Sequence, residues 1–223
     1  MEAIVVLGTG TDVGKTWVSC ALAAQLRDAV GAGAVRALKP VESGLDAATQ
    51  ASDAAALAAA AGHAYVHPAH CFAEPLSPHQ LARELGASLD VTQLAVWAIA
   101  HSSGARWLVL ETAGGAFSPL SERGCNADLV PALRGRGVDV YPILVANNRL
   151  GVLHDVAACQ RALAPLQTEA ALIVLNSPSA TQDQSARFNA TELRLLQLKP
   201  VLEFPYAADP PPNLLQALAL AVP

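Results

Sequence analysis

A β-branched run, Ile4-Val5-Val6-Leu7, passes straight into Gly8-Thr9-Gly10-Thr11-Asp12-Val13-Gly14-Lys15-Thr16. Residues 14–30 then carry Val18, Leu22 and Leu26 at helical spacing. This strand–loop–helix unit constrains the chain more than any other stretch. Such a loop turns its backbone N–H groups, with those of the first helical turn, toward one concavity that binds phosphate oxygens. Lys15 would contact the β/γ-phosphates and the Thr16 hydroxyl would bind Mg²⁺. The strict pattern G-x-x-x-x-G-K-[ST] is missed by one residue: its first glycine would fall on Thr9, and Gly8 stands one position early. The competing reading is an ordinary glycine-rich turn. G-K-T alone would not decide between them; the strand before it and the helix after it favour the phosphate loop.

The same alternation runs through the rest of the chain. Short apolar runs at residues 34–38, 107–110, 138–145, 171–175 and 201–204 read as strands, the fourth of the six interrupted by Pro142. Residues 51–61, 91–102, 126–134, 151–165, 183–197 and 212–221 read as helices, with Ser52 and Asp53 as caps for the first of these. Residues 63–79, with four histidines and three prolines, read as irregular. Strands apolar on both faces and separated by helices specify an α/β fold, a mostly parallel sheet covered on both sides. Residues 1–223 show no repeat or linker and read as one domain. Ligands then belong beyond the C-terminal strand ends, after Leu7, Leu38, Leu110, Val145, Leu175 and Phe204.

Composition narrows the function. The 223 residues are 52% hydrophobic and 15% charged, with a net charge of −5, which excludes long disorder. The absence of a basic run argues against a nucleic-acid partner. No apolar run approaches the roughly 20 residues that span a bilayer, and the N-terminus lacks a signal-peptide pattern. Cys20, Cys71, Cys125 and Cys159 are scattered, which suits a reducing cytoplasm better than a disulfide scaffold or zinc cluster. Only Lys15, Lys39 and Lys199 are lysines among 14 basic residues, so their places matter.

Lys39 ends the second strand and is followed by Pro40; it reads either as a surface lysine or as a cation placed on a transferring phosphoryl group. Its strand-end position favours the second. Glu111 ends another strand, before Thr112-Ala113-Gly114-Gly115, and a lone acid there needs a partner. Mg²⁺ is one, and Thr16, Asp53 and Glu111 together supply hard oxygen donors; Asp53 also reads as a helix cap. His67-Pro68-Ala69-His70-Cys71 has ligand-like residue types, but Pro68 breaks helical pairing and no second pair lies near. Ser77 and His79 lack the G-x-S-x-G elbow of a hydrolase.

Taken in order, residues 8–16, Lys-Pro-Val-Glu-Ser-Gly at 39–44, Ser-Asp-Ala at 52–54 and Phe-Ala-Glu-Pro-Leu-Ser-Pro-His at 72–79 form a longer pattern. It continues with Glu-Thr-Ala-Gly-Gly at 111–115, Pro-Leu-Ser at 119–121, Asn-Ala-Asp at 126–128, Arg-Leu-Gly at 149–151 and Asn176. The whole resembles the dethiobiotin synthetase family from residue 4 to about residue 206. The resemblance implies a P-loop NTPase-like ligase that uses Mg²⁺ and ATP to join CO2 to 7,8-diaminononanoate. A carbamate forms, its oxygen takes the γ-phosphoryl group to give a carbamic–phosphoric anhydride, and the second amine closes the ureido ring of dethiobiotin.

Carried over residue by residue, the resemblance gives catalysis to Lys15, Lys39 and Thr11. Nucleotide binding falls to Asp12, Val13, Gly14, Lys15, Thr16 and Trp17 in the loop, and to Asp53, Glu111, Thr112, Ala113 and Gly114 beside it. Asn176 with Ser177 reads the purine, and Pro205 with Tyr206 encloses it. Ser43, Gly114, Leu150 and Gly151 contact substrate, and Thr16, Asp53 and Glu111 hold Mg²⁺. The family forms homodimers with the substrate at the interface, so the segment from Asn148 to Val152 should reach the partner's site. Gly10, Asp12 and Thr112 stand where the family commonly has Asp, Glu and Gly. The rival on this fold is a partitioning- or maturation-type ATPase, which would carry a lysine where this chain has Gly10.

Overall fold

The computed structural model describes residues 1–45, 52–181, 183–198 and 200–220. Lys199, with Ala51 and Ala221 at the edges of two expected helices, lies outside the described residues. β1 (Glu2–Gly8) leads through the glycine loop into α1 (Lys15–Val30), and β2 (Val35–Leu38) follows a short 3-10 turn. Next come β3 (Val41–Ser43), α2 (Asp53–Ala61), β4 (His70–Phe72), α3 (Pro78–Glu84), α4 (Val91–His101) and β5 (Trp107–Glu111). A 3-10 turn at Asn126–Asp128 opens α5 (Leu129–Arg134). The chain continues with β6 (Asp139–Asn147), α6 (Val152–Leu163), β7 (Leu172–Asn176), α7 (Ala186–Leu195), β8 (Val201–Phe204) and α8 (Leu214–Ala217).

Six strands form one sheet in the order β2-β5-β1-β6-β7-β8, and every pairing is parallel. Successive side chains of a strand point to opposite faces. On β1 this sends Ala3, Val5 and Leu7 into one core and Ile4 and Val6 into another. The second core includes Val18, Leu22 and Leu26 of α1, the residues whose spacing marks the helix. Truncating a fully buried leucine of this kind costs about 2–5 kcal/mol. The α/β architecture expected from two-faced apolar strands is therefore the one adopted.

Three local features differ from the sequence expectation. The stretch 63–79 is not wholly irregular: it contains β4, which pairs with β3 in a separate parallel two-stranded sheet, and its last residues open α3. Strands of three residues are too short to display a period. The closing helix is a single turn at Leu214–Ala217, where the Asn213 side chain accepts from the Gln216 N–H at 2.9 Å. Pro142 does not interrupt β6. Its carbonyl accepts from the Ala171 N–H at 2.7 Å, so its donor-less nitrogen faces the same side, ahead of the first β7 partner, Leu172.

Topology positions the site. β1 and β6 are neighbours, yet β1 connects toward the β2 edge and β6 toward the β8 edge. That reversal opens a crevice at their C-terminal ends. Because β5 lies between β1 and β2, the ends of all three strands meet beside the crevice.

Candidate active site

The loop after β1 delivers α1 with its N-terminus open. Gly14 is the N-cap, in the left-handed region at φ 90°, and no side chain among the described residues caps the helix. Unanswered N–H groups and the positive end of the helix dipole make this an anion site. A Cβ on Gly14 would lie 2.0 Å from Asn176 Nδ2, so glycine is required by contact as well as by torsion. Asp12 also takes a positive φ, 57°, in the region that short polar side chains tolerate. Lys15 Nζ donates to the Gly10 carbonyl at 3.1 Å. Burial lowers the Lys15 pKa, Glu111 opposes that, and Lys39 adds to it.

Lys39 leaves the end of β2 and Glu111 ends β5, the adjacent strand. Lys39 Nζ donates to Glu111 Oε1 at 2.9 Å and also to Asp53 Oδ2. Burial works against the Lys39 charge, but Glu111 and Asp53 outweigh it and hold its pKa above the ordinary lysine value. Glu111 is 0% exposed, and its Oε1 also accepts from the Thr16 hydroxyl at 2.9 Å. Its second oxygen, Oε2, is buried and has no partner among the described residues. An unanswered buried acceptor costs about 1–3 kcal/mol, more when charged, which marks a place for a donor or cation. Thr16, Asp53 and Glu111 bring hydroxyl and carboxylate oxygens beside the phosphate loop, the donor types a hard divalent ion takes together with phosphate and water.

These groups line a cavity of about 630 Å³. Thr11, Asp12, Gly14, Lys15, Thr16, Trp17, Lys39, Ser43, Asp53, Glu111, Ala113 and Gly114 all reach it. A second cavity of about 350 Å³ is lined by Asn176, Ser177, Phe204, Pro205 and Tyr206. Trp17, Cys20 and Pro178 border both. Of the expected site residues, Val13 and Thr112 sit behind the walls. Val13 accepts from Asn176 Nδ2 at 3.0 Å through its carbonyl, and the buried Thr112 hydroxyl donates to the Val6 carbonyl at 2.8 Å. Leu150 and Gly151 line neither cavity. They follow β6, and Leu150 is 77% exposed.

Three residues at the site have roles that the sequence pattern does not state, although Glu42 and Asn126 stand within the motifs at 39–44 and 126–128. Cys20 borders both cavities, and burial, with Glu111 and Asp53, pushes its thiol up to about 12, so it is no nucleophile at neutral pH. Asn126 holds the glycine turn by donating to the Ala113 and Gly115 carbonyls at 2.5 and 2.8 Å. Glu42 bonds to the first turn of α2. Helical spacing places Cys20 on the α1 face of Thr16; the other two depend on tertiary contacts.

A protein-family model described as an AAA domain matches residues 2–204. The ATP-dependent dethiobiotin synthetase of Anaeromyxobacter dehalogenans (strain 2CP-C) is 37% identical over 217 residues, spanning 94% of this chain and 92% of its own length. The chain belongs to the dethiobiotin synthetase family. Two further dethiobiotin synthetases, from Caulobacter sp. (strain K31) and Escherichia coli O157:H7, are 37% and 32% identical. They span 79% and 93% of this chain and 76% and 92% of their own.

The departures noted from the sequence have room in this dethiobiotin synthetase fold. Among the described residues a Cβ at Gly10 would meet only Val13 Cγ1, at 3.9 Å, so the glycine there is not a steric necessity. Thr112 replaces a common glycine at a position where its hydroxyl finds a backbone acceptor.

Proposed function

We propose that this chain is an ATP-dependent ligase of biotin biosynthesis, acting as a single domain over residues 1–223. It carboxylates 7,8-diaminononanoate with CO2 and closes the ureido ring, giving dethiobiotin, ADP and phosphate. In a chain of this family, the observation that carries the reading is the Lys39–Glu111–Asp53 cluster facing the open N-terminus of α1 across one cavity. A partitioning- or maturation-type ATPase would need a lysine where this chain has Gly10.

The chemistry asks for positioning and charge neutralisation rather than a protein nucleophile. One substrate amine adds to CO2 and loses a proton, which leaves a carbamate. A carbamate oxygen then attacks the γ-phosphorus, and the bond to the ADP oxygen breaks. Lys15 and the α1 N-terminus meet the negative charge on the phosphate oxygens. Lys39 stands opposite, where the carbamate and the transferring group meet, and Ser43 orients the substrate. Thr11 and Gly114 line the same space. The second amine attacks the activated carbonyl carbon, phosphate leaves with the former carbamate oxygen, and the ring nitrogen loses a proton. Thr16, Asp53 and Glu111 would hold Mg²⁺, which when bound neutralises charge on the ATP phosphates.

The apolar cavity beside Asn176, Ser177, Pro205 and Tyr206 takes the adenine, with the 72%-exposed Trp17 at its mouth. The active species is a homodimer in which Leu150 and Gly151 complete the partner's substrate site. Their exposure outside both cavities supports this, as does the anchoring of the Leu150 N–H on Asp183 at 2.7 Å. Four free cysteines fit a cytoplasmic setting. No described helix is long and apolar enough to cross a membrane.

Purified protein supplied with 7,8-diaminononanoate, bicarbonate and Mg-ATP should form dethiobiotin, with ADP release dependent on the diamine. Folded, ATP-binding protein that yields no ureido product would refute the ligase reading.

A further inference from the structure

Glu42 is a buried carboxylate that the proposed chemistry does not use. It sits on β3 and is 4% exposed. Its Oε1 accepts from the Asp53 N–H at 2.6 Å, and its Oε2 accepts from the Ser52 hydroxyl at 2.9 Å and the Ala54 N–H at 3.4 Å. The Ser52 hydroxyl oxygen in turn accepts from the Ala55 N–H at 3.3 Å. The first N–H groups of α2 are thus answered by one carboxylate and the hydroxyl it holds. Burying that charge is tolerable because the helix end supplies donors and the positive end of its dipole.

The helix so held carries Asp53, whose carboxylate meets Lys39. The Asp53 side chain is 43% exposed, so water competes for it and its position depends on its backbone. Lys39 and Glu42 belong to one short segment. Pro40 accepts from the His70 N–H at 3.2 Å, and β3 continues that attachment to β4. The segment that bears the lysine therefore also holds the helix that bears its partner. We infer that Glu42 is a positioning residue: it fixes the first turn of α2 on β3 so that the Asp53 carboxylate meets Lys39 beside Glu111. It also fills with the chain's own anion the one place where α2 offers N–H groups, and leaves the phosphates to α1.

The inference rests on the ligase reading, and its test separates the two. In Glu42→Ala, kcat should fall about 30-fold with the KM for ATP within about twofold, the pattern of a displaced rather than a deleted group. Glu42→Gln keeps an acceptor for the Asp53 N–H and should recover all but about threefold of the loss. Amide hydrogen exchange at Asp53 should speed up in Glu42→Ala and not in Glu42→Gln, whereas Ala54, which then faces the glutamine NH2, should speed up in both. If Glu42 acts through Asp53, Glu42→Ala with Asp53→Asn should be no slower than Asp53→Asn alone. Wild-type kcat in Glu42→Ala, unchanged exchange at both amides, or a double variant slowed by the product of the single losses would each overturn the assignment. If Glu42→Ala does not fold, Glu42→Asp, whose carboxylate is withdrawn by one methylene, takes its place throughout. A wild-type protein that makes no dethiobiotin would sink the ligase reading instead, and the exchange measurements would still decide whether Glu42 holds Asp53.

Discussion

Lys39 shows why residue identity outweighs charge in this site. Its ammonium reaches Glu111 and Asp53 together inside a wall that leaves it almost no exposed surface. A guanidinium is planar and larger, and it directs its donors in a fixed fork, whereas an ammonium is a compact point charge. Lys39→Arg should therefore lower kcat nearly as far as Lys39→Ala, by about a hundredfold or more, with ATP still bound. Steady-state kinetics beside a nucleotide-binding titration check this; a turnover in Lys39→Arg close to wild type would remove the geometric role. Lys39 was legible in the sequence because a lysine at a strand end before proline faces the ligand crevice of an α/β sheet. Glu111 was legible by the same rule, but its protein partner was not. Lys39 and Glu111 are 72 positions apart, and only the placing of β5 beside β2 brings them together. Glu42 was hidden for another reason: besides the Ser52 hydroxyl, its partners are the Asp53 and Ala54 N–H groups at the start of the next helix, and backbone donors leave no trace in residue type.

At the scale of elements, the β1–loop–α1 unit is the part that sequence specifies best, and it tolerates least. Gly14 combines a left-handed torsion with the contact against Asn176 at the end of β7. Gly14→Ala should cost about 1–3 kcal/mol of stability from torsion alone. It should also push Asn176 off the Val13 carbonyl, so the KM for ATP should rise by at least about tenfold. Adding Asn176→Ala removes the clash but not the torsional strain, so the double variant should melt above Gly14→Ala and stay below wild type. Equal melting temperatures in the two variants would show that the Asn176 contact does not matter. Elements with several turns or a full apolar run were readable because their period repeats. β3 and β4 were not, since three residues hold no period, and yet β3 carries both Glu42 and Ser43. The closing helix was overread from its leucines; Pro210, Pro211 and Pro212 precede it, and only one turn forms after Asn213.

For the whole molecule, the sheet order separates residues that the proposed reaction needs together. Lys39 lies toward the β2 edge, whereas Leu150 follows β6 on the other side of β1 and is directed outward. Its turn is held firmly: Leu150 N–H donates to Asp183, Asn189 donates to the Arg149 carbonyl, and Asn148 is bonded to both Ala186 and Asn189. A well-anchored apolar residue pointing to solvent fits a site shared between two copies related by a twofold axis, where each surface patch meets its equivalent. Two inactive variants then become informative. In the proposed dimer, Lys39→Ala would lack the cation of its own site, and Leu150→Glu would spoil the site of its partner. In a mixed dimer both defects fall in one site and the other is intact. Random reassortment of equal amounts makes half the dimers mixed, so activity should return to about a quarter of wild type. The variants are first shown by sedimentation to remain dimeric, then exchanged under mild denaturant and assayed for dethiobiotin. Mixed dimers that form without regaining activity would place Leu150 in the same subunit's function as Lys39, and a protein that sediments as a monomer while fully active would remove the shared site altogether.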